Sequence, residues 1–253
     1  MKRILTLLLV SISLTINAQE RCGTEAHTKS MINNNPEYAI ARNKVNTQTE
    51  KWIKNNPNRS EKTIITIPVV VHVVWKTEEQ NISDAQIFSQ IDILNKDFRR
   101  TNIDVINTPG VWQGIAADCE IEFCLAQTDT NGNATTGINK VQTTVSQFSI
   151  WGGYSVEDAS SGGADAWPND NYLNIWVCNL GDNLLGYATP PSSLISSNDG
   201  VVINYHNFGN SGIANAPYHK GRTATHEVGH WLNLNHIWGD NNCGDDNVND
   251  TPE

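Results

Sequence analysis

The chain has 253 residues, of which 38% are apolar and 17% charged. That is enough apolar content to build a sizeable core, and it excludes wholesale disorder. A net charge of −10 at pH 7 leaves no basic surface for nucleic acid.

Lys2 and Arg3 precede an apolar run from Ile4 to Ile16, followed by Asn17-Ala18-Gln19. Charge, short greasy stretch and small residue are the order of a secretory signal peptide, with cleavage expected after Ala18. The run is short for a bilayer span of about 20 residues. No other stretch could span a membrane, so the mature protein is expected to be secreted and free of the membrane. Export allows disulfides. The five cysteines are Cys22, Cys119, Cys124, Cys178 and Cys243, and an odd count implies a free thiol or a missing partner.

Residues 19–62 are polar. The piece from His27 to Asn55 is weakly helical without a firm apolar stripe, and residues 55–60 read as a linker. This region is expected to be a pro-segment rather than part of the core, with Arg59 and Lys62 as candidate processing points. Order begins at Thr63. Ile64 to Trp75 is nearly continuous and β-branched, which predicts a strand buried on both faces. His72 within it reads as a satisfied core histidine. Ser83 caps a helix, with Gln86 completing a capping box and Ile87, Phe88, Ile91, Leu94 and Phe98 at helical spacing. Strands are predicted over Glu120–Ala126, Tyr172–Leu180, Leu184–Ala188 and Val201–Tyr205, and a helix from about Arg222 to Leu232. This order predicts an α/β (α+β) layer, a twisted mixed sheet with helices packed on it.

The chemistry concentrates in Thr225-His226-Glu227-Val228-Gly229-His230-Trp231-Leu232-Asn233-Leu234-Asn235-His236. Residues four apart share a helix face, so His226 and His230 can hold one ion. Glu227 can reach an attacking water without ligating. His236 can join only if the chain turns sharply near Asn233. Three imidazoles leave a fourth position open, as in a catalytic zinc site rather than a structural one. A third-ligand alternative is Glu253, well downstream, although Thr251-Pro252 before it does not read as helix.

The motif resembles the metzincin zinc signature. Several further segments, in order, resemble the pappalysin family of metzincins: Ile67–Val73, Tyr172–Val177, Leu185–Ala188, Asp199–Val202 and Gly221–Thr225. The resemblance covers residues 63–253 and implies a metzincin-like catalytic domain. It implies a secreted zinc endopeptidase acting on peptide or protein substrates, with Zn2+ on His226, His230 and His236 and Glu227 as the general base. Leu185, Gly186, Tyr187 and Ala188 would be the strand that pairs with an extended substrate. Arg21-Cys22-Gly23 resembles the cysteine switch of some metzincin zymogens, in which Cys22 fills the open zinc position; the plainer reading is half of a disulfide. Asp245, Asp246 and Asp250, with Asp240 nearby, resemble a loop that holds Ca2+ in some relatives; the plainer reading is a solvated acidic loop.

Two features depart from the family pattern. Asn233 stands at the family's glycine, in a turn expected to be left-handed, which Asn tolerates. The only methionines are Met1 and Met31, so the metzincin Met-turn is absent and the lower subdomain is expected to be missing. The competing functional reading is an inactive secreted metal- or protein-binding module with a degenerate protease fold. A disulfide between Cys124 and Cys178 across the sheet is one conceivable pairing.

Overall fold

The computed structural model describes residues 21–56, 63–194, 196–240, 244–246 and 248. The signal sequence, the processing points Arg59 and Lys62, and Cys243, Asp250 and Glu253 lie outside them.

The architecture grows from β1 (Ile65–Trp75), whose residues Val69 to Val74 are fully or almost fully buried. β1 is long enough to take two neighbours in series along one edge. Its first half pairs with β2 (Ile121–Leu125) and its second half with β3 (Ile138–Gln142). The other edge pairs with β4 (Leu173–Cys178), itself buried throughout. β6 (Val201–Asn204) follows β4, and β5 (Gly186–Ala188) closes the sheet as its single antiparallel edge strand. A mainly parallel sheet must be covered on both faces. One face packs against α3 (Asp84–Phe98) and α4 (Arg222–Trp231), around Val71, Val73, Ile87, Leu94, Ile175, Ile203 and Val228. The other is covered by loops gathered around Trp176, Phe148 and Tyr187. The predicted α/β layer with a mixed sheet is the fold.

Differences from the sequence reading have local causes. β3 was not anticipated, because Ile-Asn-Lys-Val-Gln is half polar and earns its place by pairing with β1. Ser83 caps α3 by accepting from the Gln86 amide at 3.2 Å. The Gln86 side chain does not return to complete a box; it is buried and donates to the carbonyls of Tyr205 and Phe208. Phe88 is exposed, and Ile93 takes its place in the core. His72 is buried and neutral in kind. Its Nε2 meets Asn174 Oδ1 at 3.0 Å, Asn139 Nδ2 meets its Nδ1 at 3.0 Å, and its ring stacks on Trp176. Cys124 and Cys178 do not pair. Both are free, on strands separated by β1, one exposed and one buried. Cys22 and Cys119 are also free.

The N-terminal segment is more ordered than its composition suggested. It forms α1 (Thr24–Asn34) and α2 (Glu37–Asn55). It does contribute to the interior, since Thr24, Tyr38 and Ala41 are buried against the rest of the chain. Among the described residues no helix is long and apolar enough to cross a membrane.

Candidate metal centre

α4 is fixed before any metal is considered. Gly221 starts it in a left-handed conformation, φ 69°, with its carbonyl held by the Gln90 side chain at 3.0 Å. The buried Asp97 carboxylate of α3 accepts from Thr225 Oγ1 at 2.7 Å and pairs with Arg222 Nε at 3.0 Å. At the far end Trp231 Nε1 donates to Asp199 at 2.7 Å. The helix is thus pinned to α3 and to the loop before β6.

The helix ends as a Schellman motif: Leu234 N–H bonds to Gly229 O and Asn233 N–H to His230 O, each at 2.9 Å. Asn233 takes the required left-handed conformation, φ 78°. The reversal sends His236 back over the helix and aims the Leu234 carbonyl at His230 Nδ1, 2.7 Å away. The three Nε2 atoms then form a triangle with edges of 3.0, 3.1 and 3.2 Å. His236 Nδ1 faces Asp240 Oδ1 at 2.5 Å, and its ring stacks on Trp238 with centroids 4.3 Å apart.

These second contacts decide what the triangle can hold. His230 must donate from Nδ1 to a carbonyl, and His236 from Nδ1 to a carboxylate. With both rings in that tautomer their Nε2 atoms face each other as lone pairs 3.2 Å apart, an arrangement that a cation between them would relieve. Burial lowers the basicity of His226 to about 4, helped by its two neighbouring imidazoles, and burial lowers His230 as well. Imidazole Nε2 atoms whose Nδ1 atoms are engaged by a carbonyl or a carboxylate are what zinc requires. The donor set fits the metal.

Cys22 completes the cluster. Its Sγ lies 3.5 Å from His230 Nε2 and 3.7 Å from Glu227 Oε2. Cys22 and the three histidines are the group of potential metal ligands that converges among the described residues. Burial, then the Glu227 carboxylate, raises the thiol's pKa; a coordinated cation would reverse that balance. Glu227 stays out of the ligand group. It lies under β5, where Gly186 leaves just enough room: a Cβ there would meet Glu227 Cγ at 3.0 Å. Burial pushes the Glu227 carboxyl up to about 8, against hydrogen bonds from Thr24 and Cys22.

The expected substrate strand is already occupied. Leu185 N–H donates to Arg21 O, and Gly23 N–H to Gly186 O, each at 2.8 Å. Thr24 Oγ1 donates to Glu227 Oε2 at 2.8 Å and accepts from Ala188 N–H at 2.9 Å. Thr24 was not singled out from the sequence, and Asp240 was read with the acidic loop rather than as the partner of His236. Asp240 lies four residues past His236, a legible spacing; nothing marked Thr24, which acts across 203 positions. Asp245 and Asp246 are not drawn into a ligand cluster among the described residues, and Asp250 lies outside them.

A cleft of about 480 Å³ opens beside Glu227, His226, His236 and Leu185. Metal-assisted hydrolysis is the class of chemistry this arrangement serves. A family model described as pregnancy-associated plasma protein-A matches residues 158–253. The chain is 30% identical over 226 residues to an extracellular metalloprotease of Verticillium alfalfae, covering 84% of this chain and 66% of that one. Mature mirolysin of Tannerella forsythia, solved with a cleaved peptide, is 54% identical with a TM-score of 0.74, covering 76% of this chain and 73% of that one. A promirolysin mutant from the same organism is 47% identical with a TM-score of 0.80, covering 92% and 76%. The chain belongs to the pappalysin family of metzincin metalloproteases. It spans about two thirds of the Verticillium relative's length.

Proposed function

We propose that this chain is the latent form of a secreted zinc-dependent endopeptidase. His226, His230 and His236 hold zinc, Glu227 is the general base, and residues 19–62 are the pro-segment. The observation that carries the reading is the triangle of Nε2 atoms, 3.0–3.2 Å apart, with an uncoordinated glutamate beside it. Secretion is supported by the leader pattern over residues 1–18 and by extracellular relatives.

Zinc, when bound, supplies the Lewis acidity that acidifies water and polarises a carbonyl. The rest is this chain's own work. Leu185 N–H, Gly186 O and Ala188 N–H offer an edge on which an extended peptide lies by strand addition. Glu227 Oε2 takes the proton of the attacking water and passes it to the leaving amine. In the latent form Cys22 Sγ closes the open side of the histidine triangle, Thr24 caps Glu227 Oε2, and Arg21-Cys22-Gly23 fills the edge. The pro-form relative matches 92% of the chain against 76% for the mature one, as expected if the chain carries a pro-segment that the mature relative lacks.

The test is Glu227→Gln in the zinc-loaded, processed protein. Zinc content should match the parent, and peptide hydrolysis should fall by about 10²- to 10⁴-fold, the usual share of a general base. Hydrolysis at the parent's rate would remove Glu227 from the mechanism. A zinc-loaded parent that cleaves no peptide would favour the non-enzymatic binding module.

A further inference from the structure

The turn at Asn233 needs a residue that accepts φ 78°, and glycine would do this more easily than Asn. The carboxamide is therefore surplus to the turn. Both of its polar atoms face α2. Nδ2 donates to Asn46 Oδ1 at 2.9 Å, and Oδ1 faces Arg42 Nη2 at 3.5 Å. Arg42 is the weaker partner; its Nη1 is buried without a partner. One turn earlier on the same face, the buried Tyr38 hydroxyl donates to Pro190 O at 2.9 Å. Tyr38, Arg42 and Asn46 form a stripe at helical spacing. Two of its members make well-formed bonds to groups just outside the metal triangle. Apolar burial on α2 is slight, limited to Tyr38 and Ala41, so these polar bonds give the contact its register.

We infer that Asn233 and Pro190 form a docking surface for α2, distinct from the Cys22 anchor, and that the residue replacing the family's glycine is the one that recognises the pro-segment. The surface fits a helix carrying a phenol and a carboxamide two turns apart. It does not depend on a covalent link to β1, so a hairpin severed in the linker still docks and inhibits. This rests on the latent-precursor reading.

Hydrogen exchange of the α2 amides tests it, in the zinc-loaded full chain with Glu227→Gln to prevent self-cleavage. Asn46→Ala should raise α2 exchange about 2- to 10-fold, the size of one neutral hydrogen bond. Alanine is the better helix former, so intrinsic propensity would push exchange the other way. Asn233→Gly should give a similar rise, and the double variant no more than either single one, as expected for partners in one bond. Unchanged β1 exchange would confirm that each variant is folded. Protected α2 amides in the parent that Asn46→Ala does not move would overturn the docking role and leave latency intact. Unprotected α2 amides in the parent would overturn both.

Discussion

β1 and α2 are the longest strand and the longest helix in the described residues, and they are attached to the molecule in opposite ways. β1 pairs along both edges and buries six consecutive residues from Val69 to Val74. α2 has 19 residues and buries two. A strand held like β1 leaves only when the domain unfolds. A helix held by a few polar bonds can leave while the sheet stays intact. The contrast sets a permanent scaffold against what the proposed latent form makes a removable cover, and three measurements bear on it.

The largest expected effect falls on the scaffold. Burial lowers His72 to about 4 against an ordinary value of 6.5. Above pH 6.5 the imidazole is neutral whether the chain is folded or not. Between pH 6.5 and 4 the unfolded chain takes up a proton that the fold refuses, so stability should fall by up to about 3 kcal/mol as pH drops through that window. Chemical denaturation at several pH values would reveal this, and His72→Gln should flatten the dependence. A slope unchanged in that variant would place the acid sensitivity elsewhere. The next effect falls on the cover. Cys22→Ala in the unprocessed, zinc-loaded chain should raise peptidase activity by at least about tenfold, equivalent to about 1.4 kcal/mol of docking. A precursor no more active than the parent would mean that the thiol does not guard the metal. The smallest is Tyr38→Phe, which removes one hydroxyl bond to Pro190 O. It should weaken hairpin docking by about 1 kcal/mol, read as faster α2 exchange, while the global unfolding midpoint stays put. A drop in that midpoint would mean that the hairpin belongs to the scaffold after all.

The scaffold was the more legible of the two regions. The unbroken β-branched run of β1 and the apolar spacing of α3 report burial that is decided locally. The histidine spacing and the turn at Asn233 were readable for the same reason: neighbours in sequence set both. β3 was missed because its register comes from β1, some 67 residues away in sequence at the paired His72 and Asn139. The hairpin was underestimated because its stability lies in contacts with β5, Pro190 and Asn233, which no pattern within residues 21–55 encodes. Thr24 is the extreme case, a residue whose role exists only once a glutamate 203 positions later lies beneath it.

The occupied margin of β5 has one more consequence. A bare strand edge carries unpaired amide and carbonyl groups that invite a neighbouring molecule to add on, the usual route to clumping. Here Arg21 and Gly23 satisfy those groups from within the same chain. If this segment is removed on maturation as proposed, the same event that opens the cleft also bares an adhesive margin, trading shelf life for catalysis.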